Sequence, residues 1–376
     1  MGERIVQMVI KEFIQVFRDP RMKAIIFVVP VLQLLIFGYA VSTDVRHVPT
    51  AVYDAGNSAA GRDLAARFGA SDYFNITAYP RDPAETMRLI DRGDVRMALV
   101  MDEGFEENLR AGRTAHLQVI IDGTDSNTAG IMLGYVAGVT ADFSREVMME
   151  RLGRALGTTE EYEAVELRTR AWFNENLESR NFYVPGVIAM MVMLITLMLT
   201  SMAVVREKEI GTMEQIMVTP ITPLEFILGK TIPFGIIGFI DVIIITVVGA
   251  FWFEVPIRGS LLLLFFATAL YLMTALGAGL LISTVSRTQQ QALMGTFFFF
   301  FPAVLLSGFM FPIANMPEPV QWLTYINPLR YFLVIVRGIF LKGIGADILW
   351  PQMAALAVMG TTVLWVASRR FTKTLS

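Results

Sequence analysis

Residues Arg206–Lys230 read REKEIGTMEQIMVTPITPLEFILGK, and they lie between two long apolar runs. A polar stretch in that position is a loop whose two ends are fixed in a membrane. In its first half, Arg206–Val218, Ile210, Met213 and Met217 recur at three- and four-residue spacing, with Arg206, Glu207, Lys208, Glu209 and Glu214 mostly elsewhere. That pattern predicts a short helix with one apolar stripe and a charged back. Pro220 and Pro223 forbid its continuation and set a rigid corner. Thr222, Pro223 and Glu225 then fit the N-cap, N1 and N3 positions of a new helix, a capping box. Such a helix–corner–helix suits a handle that another protein can push. It equally suits an ordinary surface loop that holds two spans apart, and the residues alone leave both open.

The whole chain fits this setting. Of its 376 residues, 54% are hydrophobic and 17% charged, and the mean hydropathy is +0.54, well outside the range of an average soluble protein. More than half of the charged residues fall between Asp44 and Arg180, so the remainder is more apolar still. A net charge of −3 without a Lys/Arg-dense block argues against a nucleic-acid partner. There is no cysteine, which excludes a disulfide framework, a thiol nucleophile and a Cys-based metal site. The two histidines, His47 and His116, are far apart and lack partners at metal-ligand spacing.

Along the chain, residues 1–23 form an N-terminal interfacial segment. Ile5, Val6, Val9, Ile10, Phe13, Val16 and Phe17 gather on one side of a helix over 3–18, and Arg4, Lys11, Glu12 and Arg18 stay on the polar side. Asp19-Pro20 supply the cap of the next helix. Ala24–Val41, within a first span assigned to 24–43, is long enough to cross a bilayer. Gly38-Tyr39-Ala40 could pass for a signal-peptide cleavage site, but the run exceeds a usual apolar core, so it is read as an uncleaved anchor. Residues 44–183 form a hydrophilic α/β domain. Strands are predicted at Thr50–Tyr53, Phe74–Tyr79, Met97–Val100 and Leu117–Ile121, alternating with helices at Ser58–Phe68, Pro83–Arg92 and Gly104–Arg110. A long helix over Ser126–Leu156 follows, with Gly130, Gly134 and Gly138 in a ridge that packs either inside this domain or against a second subunit.

Residues 184–376 hold spans two to six, at Val184–Val205, Ile232–Phe253, Leu261–Ser283, Ala292–Phe311 and Ile348–Ala367. The fold class is therefore an α-helical six-span membrane bundle with an inserted extracytoplasmic α/β domain. Basic residues before span one, in 206–230, after span four and after span six share one side in a six-span count, which puts both termini in the cytoplasm. Between spans five and six, Pro319 and Asn327-Pro328 each open a short helix and Gly343 closes the second, giving outer helices over 313–347. Arg330 and Arg337, seven residues apart on one face, join the interfacial aromatics Trp322 and Tyr325 as candidates for an outer gate.

Asp241, in the middle of span three, is the sharpest single residue, because a charge there costs roughly 2.5–3.5 kcal/mol on insertion scales. It is either a neutral carboxyl bonded to a neighbouring helix or a contact for substrate or coupling. Gln33 in span one carries the same two readings. Thr196, Thr200 and Ser201 in span two can bond their own backbone and point weakly to a cavity. Phe297–Phe301 reads as lipid contact or packing rather than a substrate site, and Pro302 as a kink. Gly229-Lys230-Thr231 ends like a phosphate-binding loop, but Leu224 stands where the first glycine is required. Leu306-Ser307-Gly308 lies within an apolar span and is coincidental.

The 206–230 stretch resembles the cytoplasmic coupling loop of ABC-2 type permeases, the membrane subunits of bacterial ABC exporters. Glu207, Lys208, Glu209, Gly211, Thr212, Glu214, Gln215, Thr219, Pro220, Gly229 and Lys230 match the family's E-K-E-x-G-T-x-E-Q-x-x-x-T-P and following G-K. The resemblance extends to Lys11–Phe13 with Arg18–Arg21, to Asp122–Ala129, to Trp172–Asn174 and to Leu306–Gly343. It implies a permease in the bacterial inner membrane that works as a dimer with a second copy or a related permease. It also implies that spans two and five line a pathway and that separate ABC ATPase subunits, which hold the ATP and Mg, grip the loop. That the outer helices over 313–347 are re-entrant is what the resemblance of Leu306–Gly343 implies. This chain would be non-enzymatic, bind no cofactor or metal itself, sit in membrane lipid and have room for a periplasmic adaptor. A proton-coupled carrier using Asp241, or a membrane receptor with a sensing domain, are the alternatives from other classes.

Overall fold

A computed structural model of the chain describes residues 2–40, 45–156, 172–173, 178–212 and 221–370. These fall into two compact units, one within Thr43–Thr169 and the other within Met1–Ser42 and Arg170–Ser376.

In the smaller unit, strands β1 (Val48–Asp54), β2 (Phe74–Ala78), β3 (Met97–Met101) and β4 (Leu117–Ile121) form one sheet in the order β2-β1-β3-β4. β1 pairs parallel with β2 and β3, and β3 pairs antiparallel with β4. Strand alternation divides the side chains between two faces. Val52, Met97, Leu99 and Met101 pack with Leu64 and Phe68 of the helix Ala59–Ala70 and Phe143 of the helix Ser126–Leu156. Ala51 and Ala98 face the other way, with Leu89 and Ile90 of the helix Pro83–Asp91. Right-handed crossovers explain this split: β1 to β2 and β2 to β3 step across the sheet in opposite directions, so their helices fall on opposite faces. The predicted α/β order is observed, with strand ends moved by one or two residues. Ser58 and Asp82 cap two of these helices, accepting from the Gly61 N–H at 2.9 Å and the Glu85 N–H at 2.6 Å. Arg67 bridges helices by pairing with Glu146 and Asp63 and lying 5.4 Å over the Phe143 ring. Its hydrogen bond holds the Glu146 carboxyl below the usual carboxylate range. Gly130, Gly134 and Gly138 have nothing within 4 Å of a Cβ, so this ridge is not packed inside its own unit.

With helices numbered in chain order, the larger unit opens with α1 (Gly2–Arg18) and α2 (Pro20–Lys23), then a π turn (Ala24–Val28) leading into α3 (Val29–Ala40). The π turn lets Val29 N–H reach the Ala24 carbonyl just ahead of Pro30, which has no N–H to give. The smaller unit holds α4 to α7, ending with Ser126–Leu156 as α7. Next come α8 (Ser179–Ile210), α9 (Pro223–Phe251), α10 (Leu261–Val285) and α11 (Gln289–Leu305). The chain closes with α12 (Glu318–Thr324), α13 (Pro328–Arg337) and α14 (Ala346–Arg370). Among the described residues, α8, α9, α10 and α14 are long and apolar enough to cross a membrane, and Ala24–Tyr39 is a shorter apolar helix.

α8 is apolar all round because it is enclosed: α3, α9, α10, α11 and α13 all pack on it. Glycine permits the closest approaches. A Cβ on Gly279 of α10 would lie 2.9 Å from Thr200 Cβ, and one on Gly277 would meet Val363 Cγ1 of α14 at 2.9 Å.

Two of the helix ends that differ from the sequence expectation bear on the site. Span five was expected to reach Phe311, but α11 stops at Leu305, three residues past Pro302. Gly308 takes a left-handed turn at φ +82°, and Phe309 N–H donates to Ser307 Oγ at 3.1 Å. Asn327 Nδ2 donates to the Ala303 carbonyl at 2.7 Å, while Asn327 Oδ1 caps α13 by accepting from Leu329 N–H at 3.1 Å. The second difference is that Arg206–Ile210 forms the last turns of α8 rather than a separate helix. Gly211, at φ +83°, ends it with its N–H on the Lys208 carbonyl.

Candidate functional site

The two feet of the 206–230 loop meet at a buried charge cluster. Lys230, two turns into α9, is 2% exposed. Its Nζ donates to Glu12 Oε1 of α1 at 2.7 Å, to Glu207 Oε1 of α8 at 2.8 Å and to the Ala203 carbonyl at 3.4 Å. Lys11 Nζ adds a 2.7 Å bond to Glu207, and Thr212 Oγ1 donates to the same carboxylate. Two cations and two anions balance, which is the condition for keeping charges out of water. At the start of α9, Thr222 and Glu225 form the expected capping box, and Arg4 lies 4.0 Å from Glu225. Met8 fills the space beside Gly229, where a Cβ would lie 2.7 Å from its own Cβ.

α1 is thus clasped to the loop root by a face the sequence assigned to the polar side. Glu12 and Val16 are buried, while Val6, Ile10, Ile14 and Phe17 remain exposed. Glu207, expected on a solvent-facing charged back, is 4% exposed because Lys230 and Lys11 draw it inward. The polar partners Lys11, Glu12 and Lys230 were missed as a site. Their signal was a lysine at the entry to an apolar run and a Lys-Glu pair on an interfacial helix. Glu209 is linked instead to α11, accepting from Gln289 Nε2 at 2.8 Å and from its backbone N–H at 3.2 Å. Glu214, Gln215, Thr219 and Pro220 lie outside the described residues.

Deeper in the bundle, Asp241 of α9 is fully buried, and neither carboxyl oxygen has a hydrogen-bond partner among the described residues. The hydroxyls of Thr196 and Thr200, which could bond their own helix backbone, are also unpartnered among the described residues. Thr196 Oγ1 would lie 3.1 Å from a Cβ on Gly238 of α9, one turn before Asp241, whereas Thr200 packs against Gly279 of α10. Ser201 does bond its own helix, at the Met198 carbonyl, and its Oγ also meets Thr296 Oγ1 of α11 at 2.8 Å. Gln33 is half-buried on α3. α8, expected to line a pathway with α11, is enclosed by its own chain, whereas α11 leaves Met294, Phe298 and Phe301 exposed.

Arg330 and Arg337, expected on one face, have different surroundings. The Arg330 guanidinium stacks 4.0 Å over Tyr325 and donates to Thr324, and Tyr325 neighbours the exposed Trp322. The Arg337 guanidinium lies 3.7 Å over Phe182 of α8 and donates to the Gly308 carbonyl at 3.3 Å.

Long apolar helices, an amphipathic helix clasped to a loop root and charged groups collected at helix ends define a multi-pass membrane protein. Residues 21–369 match the family model described as "ABC-2 family transporter protein". The chain is 33% identical over 362 residues to "Probable multidrug ABC transporter permease YbhR" of Escherichia coli K12, covering 96% of each. It is 35% identical over 378 residues to "Probable multidrug ABC transporter permease YbhS" of the same organism, covering 98% of this chain and 97% of the relative. "Inner membrane transport permease YhhJ", also of that organism, is 30% identical over 291 residues, 76% of this chain and 75% of its own. The chain belongs to the ABC-2 family of transporter proteins.

Proposed function

We propose that this chain is the membrane subunit of an ATP-driven exporter, that two copies or two related permeases enclose the pathway, and that separate ATPase subunits drive it through the 206–230 loop. The buried Lys230–Glu12–Glu207 cluster supports this most directly. It ties both feet of the loop and the N-terminal helix into one block, as transmission of a mechanical push requires. ATP and Mg belong to the partner subunits, and closure of those subunits shifts the block. Net pumping then needs a cargo that binds the two resulting states differently. Glu209, Gly211, Thr212, Glu214, Gln215, Thr219 and Pro220 form the contact surface with the ATPase, and Glu207 positions it from within. The chain crosses a bacterial inner membrane six times, with both termini in the cytoplasm and residues 44–183 outside. The multidrug label on two relatives suggests small amphipathic cargo. The unpartnered Asp241 carboxyl is the group best placed to meet a polar part of that cargo.

The test is affinity purification of tagged protein, expressed in its native host, in several mild detergents, with ATP hydrolysis as the readout. A co-purifying ATPase that is lost from a Glu209→Ala/Glu214→Ala variant of unchanged thermal stability is the expected result. Permease that purifies in folded form without any ATPase in every detergent overturns the exporter assignment and leaves a carrier centred on Asp241.

A further inference from the structure

A cavity in the smaller unit has no part in the transport mechanism proposed above. It holds about 570 Å³ between α6 (Phe105–Arg110), the segment 112–115, β4 and α7, within the size range of small-molecule sites. Its apolar lining includes Leu64, Phe105, Leu109, Leu117, Phe143 and Met148. Arg113, Arg145 and Arg151 line it as well, and among the described residues no acidic side chain does. The acids that answer two of these arginines stand outside the lining. Arg113 reaches Glu107 at 3.0 Å and Arg145 reaches Asp142 at 3.4 Å, while Arg151 donates to the Leu109 carbonyl. A guanidinium carries five N–H donors. Arg113 uses Nε on Asn108 and Nη2 on Glu107, and Arg151 uses Nη2, so both keep donors to spare. The hydroxyl of Thr140, also in the lining, is buried without a partner among the described residues.

We propose that this cavity is a binding site for a small amphipathic anion. An aromatic or aliphatic body would lie against Phe105, Leu109, Phe143 and Met148, with a single carboxylate, sulfonate or phosphate toward the arginines. Arginine suits such a group because its fork matches the oxygens of a planar or tetrahedral anion. A cationic ligand would meet arginines in the lining, while the acids Glu107 and Asp142 stand outside it. The site stands on the smaller unit alone, so its failure and that of the exporter assignment are separable.

The experiment follows the methyl signals of [methyl-13C]methionine-labelled full-length protein in dodecyl maltoside while naphthalene-2-sulfonate is titrated. Met148 is assigned by its loss in Met148→Leu. A saturable shift at Met148 is expected, at least tenfold weaker with the uncharged naphthalene-2-sulfonamide and at least tenfold weaker in Arg113→Gln or Arg145→Gln. The signals of Met97 and Met101, buried in the sheet, report that each variant is folded. If a variant unfolds, the charged and uncharged probes on the unaltered protein decide the matter alone. A Met148 signal that stays fixed, or that responds equally to both probes, overturns the proposal.

Discussion

Replacing Lys230 with methionine keeps the length and bulk of the side chain but removes the cation shared by two buried carboxylates. The side chains of Lys230, Glu12 and Glu207 are 2%, 5% and 6% exposed, so solvent screens them little. The loss leaves two buried carboxylates that, among the described residues, only the Lys11 cation answers. Lys11, 2.7 Å from Glu207 and 3.8 Å from Glu12, offsets part of their charge, but that side chain is 52% exposed and its contribution is discounted accordingly. Breaking a buried pair by removing one partner costs roughly 3–5 kcal/mol, and the help from Lys11 places this variant near the lower end, about 3 kcal/mol. At about 2–4 °C per kcal/mol for units of this size, the melting temperature should fall by roughly 6–12 °C. Differential scanning fluorimetry in maltoside micelles measures this. Lys230→Met/Glu12→Gln restores neutrality by leaving Lys11 opposite Glu207. It should recover about 1–3 kcal/mol relative to the sum of the single variants. A double variant as unstable as that sum, or a Lys230→Met protein melting within about 1 °C of the parent, would refute the shared-cation account.

Asp241→Leu should raise stability by about 1–3 kcal/mol, since it removes a buried polar group with no partner, while lowering export; a fall in melting temperature would show that the carboxyl is satisfied in the membrane. Gly186→Ala should destabilise by about 1–3 kcal/mol, because its Cβ would meet the Phe309 ring at 2.4 Å. Gly134→Ala, with open space around it, should stabilise by up to about 1 kcal/mol; scanning fluorimetry distinguishes the pair, and a loss at Gly134 would reveal a second surface seated on the ridge. The hydrogen bond from Arg67 lowers the pKa of Glu146 in the folded state, so its contribution is present above the unfolded pKa and lost as pH falls through the folded one. Glu146→Gln should therefore melt below the parent at neutral pH and converge with it in acid; a gap that persists in acid would contradict the assignment.

The features legible in sequence were local ones. Alternation and turn residues located the four strands, and the T-x-x-E spacing located the cap of α9, because each is set within a few residues. The charge cluster was not legible, because Lys230 finds Glu12 across 218 positions and Glu207 across 23. Without knowledge of that pairing, Glu207 on its helix looks solvent-facing and Glu12 looks like part of an interfacial polar stripe. The same ignorance misplaced the end of α8. Arg206–Ile210 reads as the start of a separate helix because its charges set it apart from the apolar span, yet it continues α8, with a cation from the next helix neutralising its inward carboxylate. The thresholds for spans failed differently, since composition ran α11 on to Phe311 and took no account of the tertiary bond from Asn327 that captures the Ala303 carbonyl in its last turn.

In the proposed exporter, these charges decide how a push on the loop can travel. The feet of the loop cannot part without separating Lys230 from Glu207, and α1 cannot lift away without separating it from Glu12. Both separations expose buried charge at a cost of several kcal/mol, so the softer response is for the block to move as one piece. α9 leaves that block at Lys230 and reaches Asp241 eleven residues later, about 16 Å along the helix axis. Tilting or sliding α9 therefore changes the surroundings of an unpartnered carboxyl along with the packing of Phe234 and Ile237. One turn before that carboxyl, Gly238 packs against Leu272 of α10 and Thr196 of α8, whose side chains would lie 2.5 Å and 3.1 Å from a Cβ there. If the coupling runs this way, Gly238→Ala should leave ATPase binding intact while uncoupling hydrolysis from export, and a variant that loses both together would place the transmission elsewhere.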